Sequence, residues 1–268
     1  MSQETNGRAP IWLVVLAKSG YGARGLLYAI IGGLAFLQAI GQGGKKTDSE
    51  GALKQLFEAP GGAAILWAVA AALVGYAVWR LFQALLDADG HGHDAMGTLV
   101  RGALFISAVT HLFLAYTTAR MALNLSSSSG GESNESVVAS LLALPGGPWL
   151  VVALGLAIAA VGIAHWIKAY QENYKDFFDV DSETMKRLNP ICRFGLSARG
   201  FAFSVISGMF IYAAVSQDPD KAGGLKDVFS TLSQQVFGPY LLGALAMGFI
   251  AFGVYSGIET LYRRINYK

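Results

Sequence analysis

Three arginine-glycine pairs, Arg24-Gly25, Arg101-Gly102 and Arg199-Gly200, each stand four residues after a glycine (Gly20, Gly97, Gly195) and each open a long apolar stretch. Recurrence at fixed offsets marks one supersecondary unit copied along the chain. The apolar segments run from Gly20 to Ile40, Ala63 to Leu85, Leu99 to Ala119, Trp149 to Ala169, Leu196 to Val215 and Tyr240 to Leu261. Each is near the ~20 residues that carry a helix across ~30 Å of hydrocarbon. Runs of that length without strand-like alternation exclude a barrel, and helices are the other structure that satisfies its own backbone in lipid. The predicted fold is therefore an all-α integral membrane protein. Its six transmembrane helices form three parallel two-helix repeats in a pseudo-threefold arrangement, divided as residues 1–90, 91–175 and 176–268. Two crossings per unit give every unit the same orientation, which excludes inverted-repeat transport and leaves a carrier or central pathway compatible.

Composition agrees with lipid as the solvent: 53% of residues are hydrophobic and only 14% charged, more apolar surface than a soluble domain of 268 residues can hide. The 33 glycines fit close helix approach where water supplies no push. A net charge of +2, with basic residues scattered at segment ends, argues against nucleic acid as a partner. The single cysteine, Cys192, excludes an internal disulfide and reads as a bystander thiol in a polar loop. The polar start and the short run Ile11 to Ala17, broken by Lys18, do not read as a signal peptide. They predict an interfacial helix before the first span, with Trp12 near the headgroups.

The second helices of the units align without gaps when Pro60-Gly61-Gly62 is laid on Pro145-Gly146-Gly147 and Gly147-Pro148 on Gly238-Pro239. In that register Arg80, His165 and Ser256 share one position, and Gln83, Lys168 and Glu259 share the next on the same face. Short amphipathic patterns before each second span, at Ala52 to Phe57, Val137 to Leu142 and Leu225 to Leu232, predict small interfacial helices on the outer side. Placing the termini in the cytoplasm puts fourteen of the twenty basic residues inside, as the positive-inside rule requires. Of the two inner loops, Gln171 to Phe194 is the longer and more charged, and is the expected docking surface.

The stretch from Lys18 to Tyr28 (KSGYGARGLLY) with Gly32, then Gly51 to Leu56 (GALKQL), Pro60-Gly61-Gly62, and Gly75 to Arg80 (GYAVWR) with Ala84, resembles a bacterial membrane family catalogued as domain of unknown function 1206. The resemblance covers essentially the whole chain. It implies three tandem two-span units in the bacterial cytoplasmic membrane, and no activity, cofactor or catalytic residue. The second and third units depart from the pattern: Tyr-Gly-Ala before Arg24 becomes Thr98-Leu99-Val100 and Leu196-Ser197-Ala198, and Trp79-Arg80 becomes Ala164-His165 and Tyr255-Ser256. Three equal sites are therefore not expected.

Among candidate functional residues, Arg24, Arg101 and Arg199 come first. A guanidinium at the inner end of a span either anchors topology through phosphate and interhelical hydrogen bonds, or joins a ring that gates anions or binds a headgroup. His111 and His165 do not suit a bis-histidine haem. His111 is twelve residues into an outgoing span, ~18 Å above Leu99, and His165 lies only ~6 Å from the inner end of an incoming one, whereas two axial ligands need similar depth. His165 is expected as a polar partner at the Arg80 position, and His111 as hydrogen-bonded to a neighbouring helix or serving a proton relay. The loop residues Asp87, Asp89, His91, His93 and Asp94 have the atoms for a transition metal, but in a glycine-rich turn of a common kind. Asp176, Asp179, Asp181 and Glu183 lack the glycine of a calcium loop, and Phe177-Phe178 are expected on the membrane surface. Ser126 to Ser129 with Gly130 and Gly131 read as a flexible outer linker.

No nucleophile elbow, phosphate loop, zinc-protease motif or dinucleotide fingerprint occurs. The expectation is a non-enzymatic protein with no cofactor, no metal and no catalytic residue. It binds lipid, a membrane-protein partner or a second copy, with Arg24, Arg101, Arg199, Arg80, His165, Glu259 and His111 as the contacts. The alternative is a small channel or transporter with a cytoplasmic vestibule lined by Arg24, Arg101 and Arg199.

Overall fold

The long helices alternate between variable and constant length. The computed structural model describes residues 7–124 and 134–267. It contains α1 (Ile11–Ala39), α2 (Ser49–Glu58), α3 (Gly62–Leu86), α4 (Ala95–Ala122), α5 (Asn134–Leu142), α6 (Gly147–Gln171), α7 (Ser182–Ser216), α8 (Leu225–Ser233) and α9 (Gly238–Tyr262). Helices α3, α6 and α9 each begin on the aligned glycine and each hold 25 residues, so the register read from the sequence is the register of the fold. Gly61 and Gly146 turn the chain with left-handed φ of 73° and 76°, where a Cβ would be strained. Six helices, α1, α3, α4, α6, α7 and α9, are long and apolar enough to cross a membrane, and α2, α5 and α8 are the expected short helices before each unit's second span. The predicted linker at Ser126 to Gly131 lies outside the described residues.

Two-residue strands β1 (Gly7–Arg8) and β2 (Asn266–Tyr267) pair antiparallel, Gly7 with Tyr267 and Arg8 with Asn266, so the two ends of the chain share one face.

All three first helices start earlier than the apolar pattern predicts, α4 at Ala95 and the other two by a wider margin. The expected interfacial helix is the first part of α1, continuous from Ile11 through the span; Lys18 does not interrupt it because its Nζ donates to the Leu261 carbonyl at 3.1 Å. Most of the charged loop from Gln171 to Phe194 is likewise helix. The Asp181 side chain accepts from the Glu183 and Thr184 amides, Glu183 sits in the first turn, and α7 runs on through Pro190. As a result Arg24 and Arg199 stand well inside their helices. Cys192 is a fully buried residue of α7, not a loop thiol. Phe178 is buried against Tyr174 and Tyr255, and Phe177 packs under the Arg263 guanidinium, so this pair faces protein rather than the membrane surface.

The spans pack in the spatial order α4, α3, α1, α9, α7, α6. The strongest interfaces join different units: α1 on α9, α3 on α4, α6 on α7. Within units, α1 packs on α3 and α7 on α9, whereas α4 and α6, consecutive spans of the middle unit, do not form a packed interface among the described residues. They are also the least covered spans, with 11% and 17% of their most apolar stretch buried against 61% for α9. The helices thus make a pseudo-threefold ring opened at one of its six contacts. Residues of α1, α3, α4 and α7 line a shared cavity, so the row is curved around an interior.

Candidate functional site

Arg24 lies buried where α1 meets α9. Its Nε donates to Ser256 Oγ at 3.1 Å, one terminal nitrogen to Tyr76 Oη at 2.5 Å, and the other pairs with the Glu259 carboxylate. Backbone geometry permits this because Gly25 and Gly253 face each other: a Cβ on Gly25 would lie 2.9 Å from the Gly253 carbonyl oxygen. The two helices can then approach within reach of one side chain.

From Arg24 the hydrogen bonds close on themselves. Glu259 Oε1 accepts from Tyr255 Oη at 3.1 Å and from Arg263 at 3.2 Å. Arg263 donates to Asp89 at 2.9 Å, and Gln83 Nε2 donates to the same carboxylate oxygen at 2.5 Å. Arg80 donates to Gln83 Oε1 at 3.0 Å and to Tyr76 Oη, which returns to Arg24. Seven side chains, Arg24, Glu259, Arg263, Asp89, Gln83, Arg80 and Tyr76, form a closed circuit joining α1, α3, the turn after α3, and the end of α9. Buried charge is tolerable only when paired and hydrogen-bonded, and here Glu259 is bonded through both oxygens and Asp89 through one. Beside the circuit, Trp79 Nε1 donates to Tyr21 Oη at 3.0 Å.

The repeat arginines have three different surroundings. Arg24 belongs to the circuit. Arg101 donates to the Ala84 and Leu85 carbonyls at 2.8 and 3.1 Å and lies 2.9 Å from His93 Nδ1, capping the end of α3. Arg199 is enclosed by the rings of Tyr28, Phe203 and Phe252, 4.6 to 5.2 Å from its guanidinium carbon, and makes no hydrogen bond among the described residues. The three do not share one vestibule: Arg24 and Arg199 line the cavity of about 180 Å³, and Arg101 does not.

His111 also lines that cavity. Contrary to the expected bond to a neighbouring helix, its Nδ1 lies 2.7 Å from the Ser107 carbonyl of its own helix, and its ring meets Tyr76 edge-on at 4.6 Å. His165, expected as a polar partner at the Arg80 position, bonds the Val161 carbonyl and packs against Phe203 and Phe252. Lys168 sits over the Tyr255 ring at 5.4 Å.

Loop residues weighed as metal ligands are spent on structure. Asp87 accepts from the His91 and Gly92 amides, both at 2.7 Å; despite some burial, these bonds hold its carboxyl below the ordinary range. Asp94 caps α4 through the Gly97 amide, Asp89 serves the circuit, and His93 meets Arg101. No cluster of three or more potential metal ligands occurs among the described residues. Across the same face, Lys175 and Asn189 hold the Glu172 carboxylate below its usual range and fasten the turn after α6 to α7.

Sequence reasoning placed Arg24, Arg80 and Glu259 on the site but missed Tyr76, Asp89 and Arg263. A signal existed for part of this: Tyr255, Glu259 and Arg263 recur every four residues, one face of a helix end, and Tyr76 precedes Arg80 by four.

The family model described as Domain of Unknown Function (DUF1206) matches residues 19–87, 102–172 and 194–263, one match per unit. An uncharacterized protein of Bacillus subtilis (strain 168), YxxB, is 31% identical over 263 residues, covering 96% of this chain and 94% of its own. No solved structure matches the chain.

Proposed function

From the premise that the chain belongs to the DUF1206 family of three-repeat membrane proteins, we propose that it is a non-enzymatic lipid-binding subunit of the bacterial cytoplasmic membrane, with both termini in the cytoplasm. The observation carrying this reading is the missing interface between α4 and α6. A helix ring opened at one contact presents its interior to the bilayer, and an acyl chain fits between apolar helices without desolvating any polar backbone. The exposed faces bordering α4 and α6 are rich in large apolar residues, among them Phe105, Phe113, Leu156 and Ile163. Against a conducting pathway stands the circuit, which occupies the side toward the termini with side chains bonded to one another.

The test is native mass spectrometry of the detergent-purified protein together with ion flux from proteoliposomes. The expected result is phospholipid retained at about one per chain, as a single lateral opening would hold, and no flux above empty vesicles. Protein that keeps no phospholipid of any headgroup, or that passes ions in an Arg24→Gln-sensitive way, overturns the proposal and favours the pathway.

A further inference from the structure

The interior holds more positive charge than its carboxylates can balance. Arg24, Arg80, Arg263, Lys168 and Arg199 are buried or half-buried, against Glu259 and Asp89 alone in the same region. Both carboxylates belong to the circuit, which already holds three of these cations, and Lys168 and Arg199 outside it make no ion pair among the described residues. Of these, Arg199 is the more telling. Its Nε is sealed from solvent with no acceptor, as the Nε of Arg263 is, but Arg199 makes no other hydrogen bond among the described residues and lines the cavity of about 180 Å³. A guanidinium carries five donors and no acceptor, and its burial is costly unless oxygen ligands meet it. The three aromatic rings around it supply quadrupole attraction, yet satisfy none of those donors.

The rest of the cavity wall is suited to an oxyanion. Arg24 reaches the wall with its donors already engaged by Ser256, Tyr76 and Glu259, and the Thr110 hydroxyl donates to the Ser107 carbonyl, while Tyr28 and Ser49 bring hydroxyl groups to the lining. His111, with Nδ1 turned to its own backbone, has Nε2 left to meet a ligand. The cavity has room for a phosphate group. No carboxylate lines it.

We infer that this cavity between α1, α3, α4 and α7 is a phosphate-type oxyanion site, with Arg199 as its principal ligand and Tyr28 and His111 beside it. The inference rests on the lipid-binding reading for its lipid form, in which the oxyanion is the phosphodiester of a phospholipid whose tails leave through the open side of the ring. The same chemistry accommodates free inorganic phosphate.

Three proteins decide it: wild type, Arg199→Gln and Arg101→Gln, the last removing the repeat arginine that lies outside the cavity. Each is delipidated, checked for helical content and monodispersity, and titrated with phosphatidylglycerol, with a neutral diacylglycerol of the same chains, and with inorganic phosphate. Expected for the wild type is preference for the phospholipid over the diacylglycerol; Arg199→Gln abolishes that preference, weakening phospholipid binding at least ~10-fold while diacylglycerol binding stays. Arg101→Gln behaves as wild type. Binding of inorganic phosphate alone, lost in Arg199→Gln, supports the site and assigns it to a free anion. Equal phospholipid preference in wild type and Arg199→Gln overturns the inference while leaving lipid binding intact, and failure of the wild type to bind any of the three ligands overturns both. Should Arg199→Gln not fold, Arg199→Lys replaces it: with a point charge instead of a fork, it must lower phospholipid affinity without touching diacylglycerol binding, and an unchanged affinity counts against the site.

Discussion

Arg24 and Arg199 occupy the same repeat position and show what a single residue's surroundings decide. Arg24 is compensated by Glu259; Arg199 is not. Changing Glu259 to Gln therefore strips the carboxylate from two buried guanidiniums at once, Arg24 and Arg263. Removing one partner of a buried pair costs roughly 3–5 kcal/mol, while replacing both with apolar residues of similar volume costs little. The expected outcome is a marked fall in the unfolding midpoint of Glu259→Gln in detergent, and partial recovery in the Arg24→Met/Glu259→Met double variant, in which Arg263 still keeps Asp89; a double variant no more stable than Glu259→Gln alone would remove the Arg24 pair from the account of stability. The sequence showed where these charges cluster along the chain, because repeat alignment puts Gln83, Lys168 and Glu259 at one position. It could not show that Arg24 chooses Glu259 over Gln83, since the choice depends on α1 packing on α9 across a unit boundary. Asp89 was visible only as an acidic loop residue, because its partner Arg263 lies 174 positions away.

At the scale of helices, the glycine after each repeat arginine has a use that differs from unit to unit. Gly25 faces Gly253 and Gly200 faces Gly162 and Trp166, with atoms near 3 Å from where a Cβ would stand; Gly102 has nothing within 4 Å. Alanine at position 25 must push α1 away from α9, and forced overpacking costs about 1–3 kcal/mol. At position 102 the same change meets no neighbour and gains up to ~1 kcal/mol of helix propensity. Thermal denaturation should thus move in opposite directions for Gly25→Ala and Gly102→Ala, and equal shifts would show that the α1–α9 contact is not as close as described. The motif Arg-Gly was legible three times; that its glycine is functional in packing only twice was not, because identical residues do not report which helix lies opposite. Helix starts were misjudged for a similar reason. Hydropathy locates the apolar part of a helix, whereas α7 begins with charged turns capped by Asp181, and in α1 the pair Lys18-Ser19 divides the apolar run from Ile11 to Ala17 from the span although the helix runs through it.

On the scale of the whole molecule, the interfaces between units matter more than those within them. The path α4, α3, α1, α9, α7, α6 places the first and last spans of the chain against each other at its centre and the middle unit's two spans at its ends. The covalent link from α4 to α6 therefore crosses the one place where no helices pack, while α1 and α9 hold the two halves together. A chain cut there, expressed as residues 1–128 and 129–268, should reassemble without the link: α1, α3 and α4 in one fragment keep their mutual contacts, α6, α7 and α9 in the other keep theirs, and the α1–α9 interface with its Arg24–Glu259 pair joins them. Affinity capture of a tag on one fragment is expected to recover the other in near-equal amount, and to lose it when Gly253→Leu is introduced, since leucine there collides with the Gly25 carbonyl and Ala29. Fragments that fail to copurify would mean that the α4–α6 side is held closed in the membrane, and with it would go the lateral opening on which lipid entry depends.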